Sequence, residues 1–205
     1  MMRRFPWITA SVLALAVGAY LVPSIGELLI LDRARVAAGE WWRLLTGSVV
    51  HFSASHLGAD ALAFGIAGAL LERRGRATFA ALTLASALAV GLAVLWLEPS
   101  LERYAGLSGV AYAAIVALAL AGQRDPGTMA TLSRIALVAC VAKLAWELST
   151  GRMLLAGAPP GVVAVPLAHL AGAITAVAVS GMKRRGGTAL LRHRVAARRR
   201  GRVSA

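Results

Sequence analysis

Six apolar stretches, each near the length that crosses a bilayer, recur along the 205-residue chain with only short charged or Pro- and Gly-containing links between them. They fall at roughly 7–25, 47–71, 77–97, 107–123, 129–149 and 161–182. A membrane-crossing helix needs about 20 predominantly apolar residues. With no water in the hydrocarbon layer, each stretch has to satisfy its own backbone N–H and C=O groups, which for segments of this length means helix. The predicted fold class is therefore all-α, a polytopic bundle of six transmembrane helices over residues 1–182, followed by a basic tail over 183–205. The composition agrees: 59% hydrophobic and 15% charged, against about half and a quarter in a soluble domain. The single cysteine, Cys140, lies inside an apolar stretch, so one chain can build neither a disulfide framework nor a cysteine zinc site.

The net charge of +13 raises nucleic acid as a partner, but the distribution of charge argues against it. Nine of the 22 basic residues lie between Lys183 and Arg202, in a tail with no aromatic residue for base stacking. Such a tail suits an anionic membrane surface, so the lipid bilayer is the expected partner and nucleic acid is not. Six spans put both termini on one side. That side holds 15 of the basic residues and the opposite side only Arg33, Arg35, Arg43, Arg103 and Arg152. An excess of basic residues marks the cytoplasmic face, so both termini are expected there, with the first loop outside. The start of the chain, with Arg3 and Arg4 before a small-residue run, has the look of a signal peptide; five further spans favour an uncleaved first helix. The absence of organelle-type targeting features points to a bacterial inner membrane.

Polar and ionisable residues at membrane depth are costly and are functional hypotheses by default. They are few: His51, His56 and Asp60 early in the second stretch, Ser108 and Tyr112 in the fourth, Lys143 and Glu147 in the fifth, His169 in the sixth. Ser108 sits in Gly106-Leu107-Ser108-Gly109, where a loop turns into an apolar helix. Glycines there permit unusual dihedrals and close approach, and free helix N-terminal amides can stabilise an oxyanion. Taken alone, a helix cap or small packing residue is the simpler reading of this serine. His169 is followed by Gly172 and Ala173 three and four positions on, so its helical face is otherwise small. Neutral histidine is the usual base for a serine near neutral pH, although a lone intramembrane histidine is equally read as one interhelical hydrogen bond. Tyr112, one turn after Ser108, shares its face and can hold the His169 ring. No acidic residue is evidently placed to orient His169, so the reading is a Ser-His dyad rather than a triad.

His56 and Asp60 share a face four residues apart, with His51 a little over a turn earlier. The spacing does not put all three on one helical face, so no metal site and no cofactor is expected. Lys143 and Glu147, again four apart, read as a mutually neutralising structural or substrate-facing pair, since either charge alone would be costly to bury. A proton-relay transporter using Lys143, Glu147 and Asp60 is the sharper alternative, but the spans lack an inverted-repeat pattern. Trp41, Trp42 and Arg43, in the longest link, suit the membrane interface, where paired tryptophans commonly anchor.

Together these residues resemble the rhomboid family of intramembrane serine proteases. The marks are Trp42-Arg43, His51-Phe52-x3-His56-x3-Asp60, Gly68-x3-Glu72, Gly106-Leu107-Ser108-Gly109-x2-Tyr112 and Ala168-His169-x2-Gly172, in order from position 42 to 172. The small six-span size, Trp-Arg-Leu-Leu-Thr-Gly at 42–47 and Lys143-x3-Glu147 are more specifically similar to the rhombosortases, which act on proteins with a C-terminal Gly-Gly signal, a hydrophobic helix and a basic end. The resemblance implies a rhomboid-like bundle with Ser108 as nucleophile, His169 as base and Tyr112 as its support. His56 and the backbone amide of Ser108 would form the oxyanion site beside Gly106, and Trp42, Arg43, His51 and Glu72 would be structural. The substrate it implies is membrane-anchored through a C-terminal hydrophobic helix and is cut near the extracytoplasmic side. Many rhomboids carry Asn at the position of Asp60. An ionised carboxylate cannot donate to an oxyanion, so Asp60 is expected to orient His56 instead. An inactive rhomboid-like protein that escorts client helices is the rival reading, opposed by the presence of both Ser108 and His169.

Overall fold

The computed structural model describes residues 5–151, 163 and 165–182. The chain forms α1 (Trp7–Leu21), α2 (Pro23–Leu29), β1 (Leu31–Asp32), α3 (Arg33–Ala37) and α4 (Arg43–Thr46), then a 3-10 turn at Gly47–Val49. The longer helices follow: α5 (Ala54–Arg74), α6 (Arg76–Leu97), α7 (Ser108–Gly122), α8 (Thr128–Thr150) and α9 (Pro166–Met182), with β2 (Arg103–Tyr104) between α6 and α7. The basic tail expected after residue 182 lies outside the described residues, as does most of the link from 152 to 164.

Among the described residues three helices, α5, α6 and α8, are long and apolar enough to cross a membrane, and the bent pair α1–α2 makes a fourth if counted as one span. α7 and α9 are apolar but shorter. The span expected over 7–25 is bent: α1 ends at Leu21 and α2 leaves it at 116°. The cause is Pro23, whose fixed φ suits the first position of a new helix and cannot continue the old one. The second span also starts later than expected. Residues 47–53 form the 3-10 turn and an extended segment, and α5 begins only where the Ser53 hydroxyl accepts from His56 N–H at 3.2 Å.

The all-α expectation holds except for one small ladder. β1 pairs antiparallel with β2, Leu31 opposite Tyr104 and Asp32 opposite Arg103, which fastens the first long link to the loop that leads into Ser108. Arg33 strengthens the same junction by donating to the carbonyls of Leu95 (2.6 Å), in the last turn of α6, and of Glu98 (2.9 Å) and Leu101 (3.3 Å) in the segment that follows.

α7 is the axis of the bundle. Ten of its residues, among them Val110, Ala111, Ala113, Ala114 and Val116, are buried against α5, α6, α8 and α9. Lipid offers no hydrophobic reward for such packing, so contact relies on dispersion between closely approaching small residues. α8 is the outermost of the long helices. Only 6% of its apolar window is buried, and Ile135, Val138 and Val141 face outward.

Candidate active site

The site is set by one helix crossing. A Cβ built on Gly172 of α9 would collide with the Gly109 carbonyl oxygen of α7, and one on Gly109 would come within 2.8 Å of the Ala168 carbonyl oxygen. Glycine at both positions is thus what lets the two backbones touch. Because Gly109 adjoins Ser108 and Gly172 lies one turn after His169, the contact brings the serine and the histidine to one cavity of about 430 Å³. Tyr112, His56, Asp60, Lys143 and Glu147 line the same cavity, and its remaining wall is mostly small: Ala59, Ala63, Ala111, Ala136 and Ala139.

His169 is buried, 7% exposed, and held on three sides. Its ring stacks on Tyr112 with centroids 5.2 Å apart and planes 20° from parallel. The Tyr112 hydroxyl donates to the Cys140 carbonyl of α8, so the stacking ring is itself anchored. At Nδ1, His169 meets Glu147 Oε2 at 2.7 Å, while Glu147 Oε1 accepts from Lys143 Nζ at 2.6 Å. This corrects the expectation that no acidic residue faces the histidine. Spacing along the helix pairs Glu147 only with Lys143, four positions away; its second oxygen reaches a residue 22 positions further on, in another helix.

Asp60, His56 and His51 also converge, though not on one helical face, as the spacing indicates. His51 precedes α5 in the extended segment instead of lying on the helix. Its Nε2 stands 3.1 Å and that of His56 3.3 Å from the same Asp60 Oδ2. The carboxylate therefore holds both imidazoles, whose rings meet edge to face at 5.1 Å. Among the described residues no group of three His, Cys, Asp or Glu is arranged to hold a metal ion. Leu107 N lies 3.4 Å from His51 Nε2, so the cluster stands beside the start of α7; the shorter contact to Asp60, which only accepts, is the one that uses this nitrogen's proton.

Gly106 fits between the two halves of the site. Its φ of +142° is a conformation that other residues rarely adopt, and a Cβ there would stand 3.0 Å from His56 Cε1. Tyr104, which sequence reasoning passed over, donates from its hydroxyl to the Gly106 carbonyl at 3.2 Å and lies by the Ser108 hydroxyl. Burial pushes the Tyr104 phenol well above its ordinary range, so it stays protonated and a donor. Only its place two residues before Gly106 could have signalled it.

The remaining residues singled out in the sequence lie away from the cavity. The Arg43 guanidinium is fully buried and donates to the carbonyls of Glu27 (2.8 Å) and Ile30 (2.7 Å) and to Glu40 Oε2 (2.7 Å). Trp42 Nε1 donates to the Leu28 carbonyl at 3.3 Å. Glu72 accepts from the Ile8 and Thr9 amides at 3.1 and 3.0 Å and from the Thr9 hydroxyl at 3.1 Å, capping the start of α1 with negative charge.

Residues 38–185 match the family model described as the Rhomboid domain. The chain belongs to the rhomboid family. A stretch of 88 residues, 42% of the chain, is also 34% identical to the rhomboid protease GluP of Bacillus subtilis (strain 168) and covers 17% of that protein's length. Rhomboid membership and the apolar helices make this a multi-pass membrane protein. The matched region begins after α1 and α2 and includes every residue lining the cavity, so the rhomboid likeness resides in the part of the chain that builds the site.

Proposed function

We propose that this rhomboid is an intramembrane serine endopeptidase in which Ser108 attacks the scissile carbonyl and His169 takes its proton, later supplying one to the leaving amine. The observation that carries the reading is the Gly109–Gly172 crossing, which brings Ser108 and a His169 stacked on Tyr112 into one small-walled cavity. Attack creates negative charge on the carbonyl oxygen. The Ser108 backbone amide, in the first turn of α7 where amides lack intrahelical acceptors, and His56 are the donors proposed to meet it, each worth about 3 kcal/mol in the transition state. Asp60 holds His56 and His51 and does not itself face the oxyanion.

In this reading six segments traverse the bilayer: the bent pair α1–α2, α5, α6, α7, α8 and α9. At about 1.5 Å per residue the 15-residue α7 spans roughly 22 Å, less than the ~30 Å hydrocarbon layer, so Ser108 lies below the membrane surface. Both termini are cytoplasmic, the membrane is a bacterial inner membrane, and residues 1–182 form one domain with a basic tail at 183–205. The substrate class is a membrane-anchored protein with a C-terminal hydrophobic helix. A Gly-Gly signal of the rhombosortase type is the substrate proposed, with its small residues placed at the cavity that Ala59, Ala111 and Ala139 line.

The test is cleavage of a tagged helix bearing a C-terminal Gly-Gly signal, co-expressed with the wild-type chain, Ser108→Ala or His169→Ala. Cleavage lost in both variants is the expected result. Cleavage of a generic rhomboid substrate but not of the signal would keep the protease and reject the sorting role. No cleavage of any substrate by folded protein would favour a client-binding role.

A further inference from the structure

We propose that Glu147 is a positioning residue for His169, making the reacting set Ser108–His169–Glu147, with Lys143 fixing the carboxylate; this rests on the protease reading above. His169 Nδ1 has two polar neighbours, Glu147 Oε2 at 2.7 Å and Lys143 Nζ at 3.4 Å. A carboxylate only accepts and an ammonium only donates, so they demand opposite tautomers of the ring. The distances decide between them. The contact to Glu147 is in the range of a charge-assisted hydrogen bond, whereas that to Lys143 is at the outer limit of any, and Lys143 already donates to Glu147 Oε1 at 2.6 Å. Nδ1 therefore carries the proton and Nε2 keeps its lone pair for Ser108.

Two features make this more than a buried ion pair. Glu147 is 1% exposed, and each of its oxygens has one partner, so the carboxylate has no freedom to turn away. Stacking on Tyr112 removes the remaining rotation of the imidazole. During attack the Ser108 Oγ bonds to the scissile carbon, the carbonyl π pair moves to oxygen, and the Oγ–H proton passes to Nε2. Collapse breaks the C–N bond and returns that proton to the amine. Glu147 stays ionised throughout and stabilises the transient imidazolium.

Lys143 makes the idea testable. In Glu147→Gln the amide carbonyl must face the Lys143 ammonium, which turns the amide NH2 toward Nδ1 and forces the proton onto Nε2, the unproductive tautomer. On the full-length protein with a substrate whose cleavage needs Ser108 and His169, Glu147→Gln should lower kcat by about 10²- to 10⁴-fold with KM changed less than about threefold. Glu147→Asp should recover at least about tenfold over Glu147→Gln. Lys143→Met combined with Glu147→Gln should exceed Glu147→Gln alone, because the freed amide can rotate its oxygen to Nδ1. Nitrogen-15 spectra of histidine-labelled protein, with His169 assigned by its loss in His169→Ala, should show Nδ1–H in the wild type and Nε2–H in Glu147→Gln. Glu147→Gln within threefold of wild-type kcat, or a wild-type His169 protonated at Nε2, would overturn the proposal. The spectra decide it even if no substrate is cut, and cleavage that survives Ser108→Ala would sink the protease reading while leaving the Glu147–His169 bond to be read from the spectra.

Discussion

Gly172→Ala isolates the helix crossing from the chemistry. The added Cβ would overlap the Gly109 carbonyl oxygen and stand 3.3 Å from Ala113 N, both of them backbone atoms that no side-chain rotation can move. Relief therefore requires α9 to move away from α7 by about 1 Å, the shortfall against ordinary van der Waals contact. His169 rides on the same turn, so it shifts relative to Ser108 across the cavity by a comparable amount. A displacement of this size in a reacting pair costs on the order of 10²-fold in rate, while overpacking at a well-filled contact costs about 1–3 kcal/mol of stability. The expected outcome is a protein that still folds, with a somewhat lower unfolding temperature and kcat reduced about 100-fold. Gly181→Ala in the same helix is the control: a Cβ there meets nothing within 4 Å, and alanine is the better helix former, so activity and stability should hold. The assay is initial cleavage rate on a fluorogenic transmembrane substrate in lipid, with thermal unfolding in parallel. A Gly172→Ala rate within threefold of wild type would show that the crossing does not set the serine–histidine distance.

Two further substitutions test separate parts of the bundle. Glu72→Ala removes the acceptor for two amides and a hydroxyl at the start of α1 and should destabilise the protein by about 3 kcal/mol, read as an unfolding temperature lower by roughly 6–12 °C; a shift under 2 °C would refute the capping role. Asp60→Asn takes the anionic acceptor from both His51 and His56 and should lower the cleavage rate roughly tenfold, about one hydrogen bond's worth of free energy; a faster enzyme would show instead that the carboxylate opposes the oxyanion.

Local rules read along the chain reach as far as one helix and stop there. Apolar length and short links were enough for the helical class and for α5, α6 and α8, and four-residue spacing was enough to pair Lys143 with Glu147. The bend at Pro23 escaped because residues 7–25 are predominantly apolar, and hydropathy is blind to the single missing amide that ends α1. The ladder between Leu31 and Tyr104 joins positions 73 apart and has no periodic signature over two residues. His51 misled for a related reason: a helical period was carried back across Ser53, where the chain is already extended, and the true geometry lets it share Asp60 with His56.

Glu147 shows where the boundary lies. A carboxylate has two oxygens, and a helix can supply a neighbour for one of them; the second is free to serve whatever the next helix presents. Which residue that is depends on the depth at which α9 crosses α7, and the depth follows from two glycines 63 positions apart that must abut. Each was legible as a point of close approach, but nothing in either neighbourhood says that they meet each other. Once they do, no freedom is left: His169 lands between Tyr112 and Glu147, and the acid that looked like half of a neutral pair becomes the partner of the base. A shift of α9 by one residue, 1.5 Å along and about 100° around its axis, would turn His169 away from Ser108 and from Glu147 together. The proposed base and the proposed acid behind it are thus set by a single contact, and should be gained or lost as a unit.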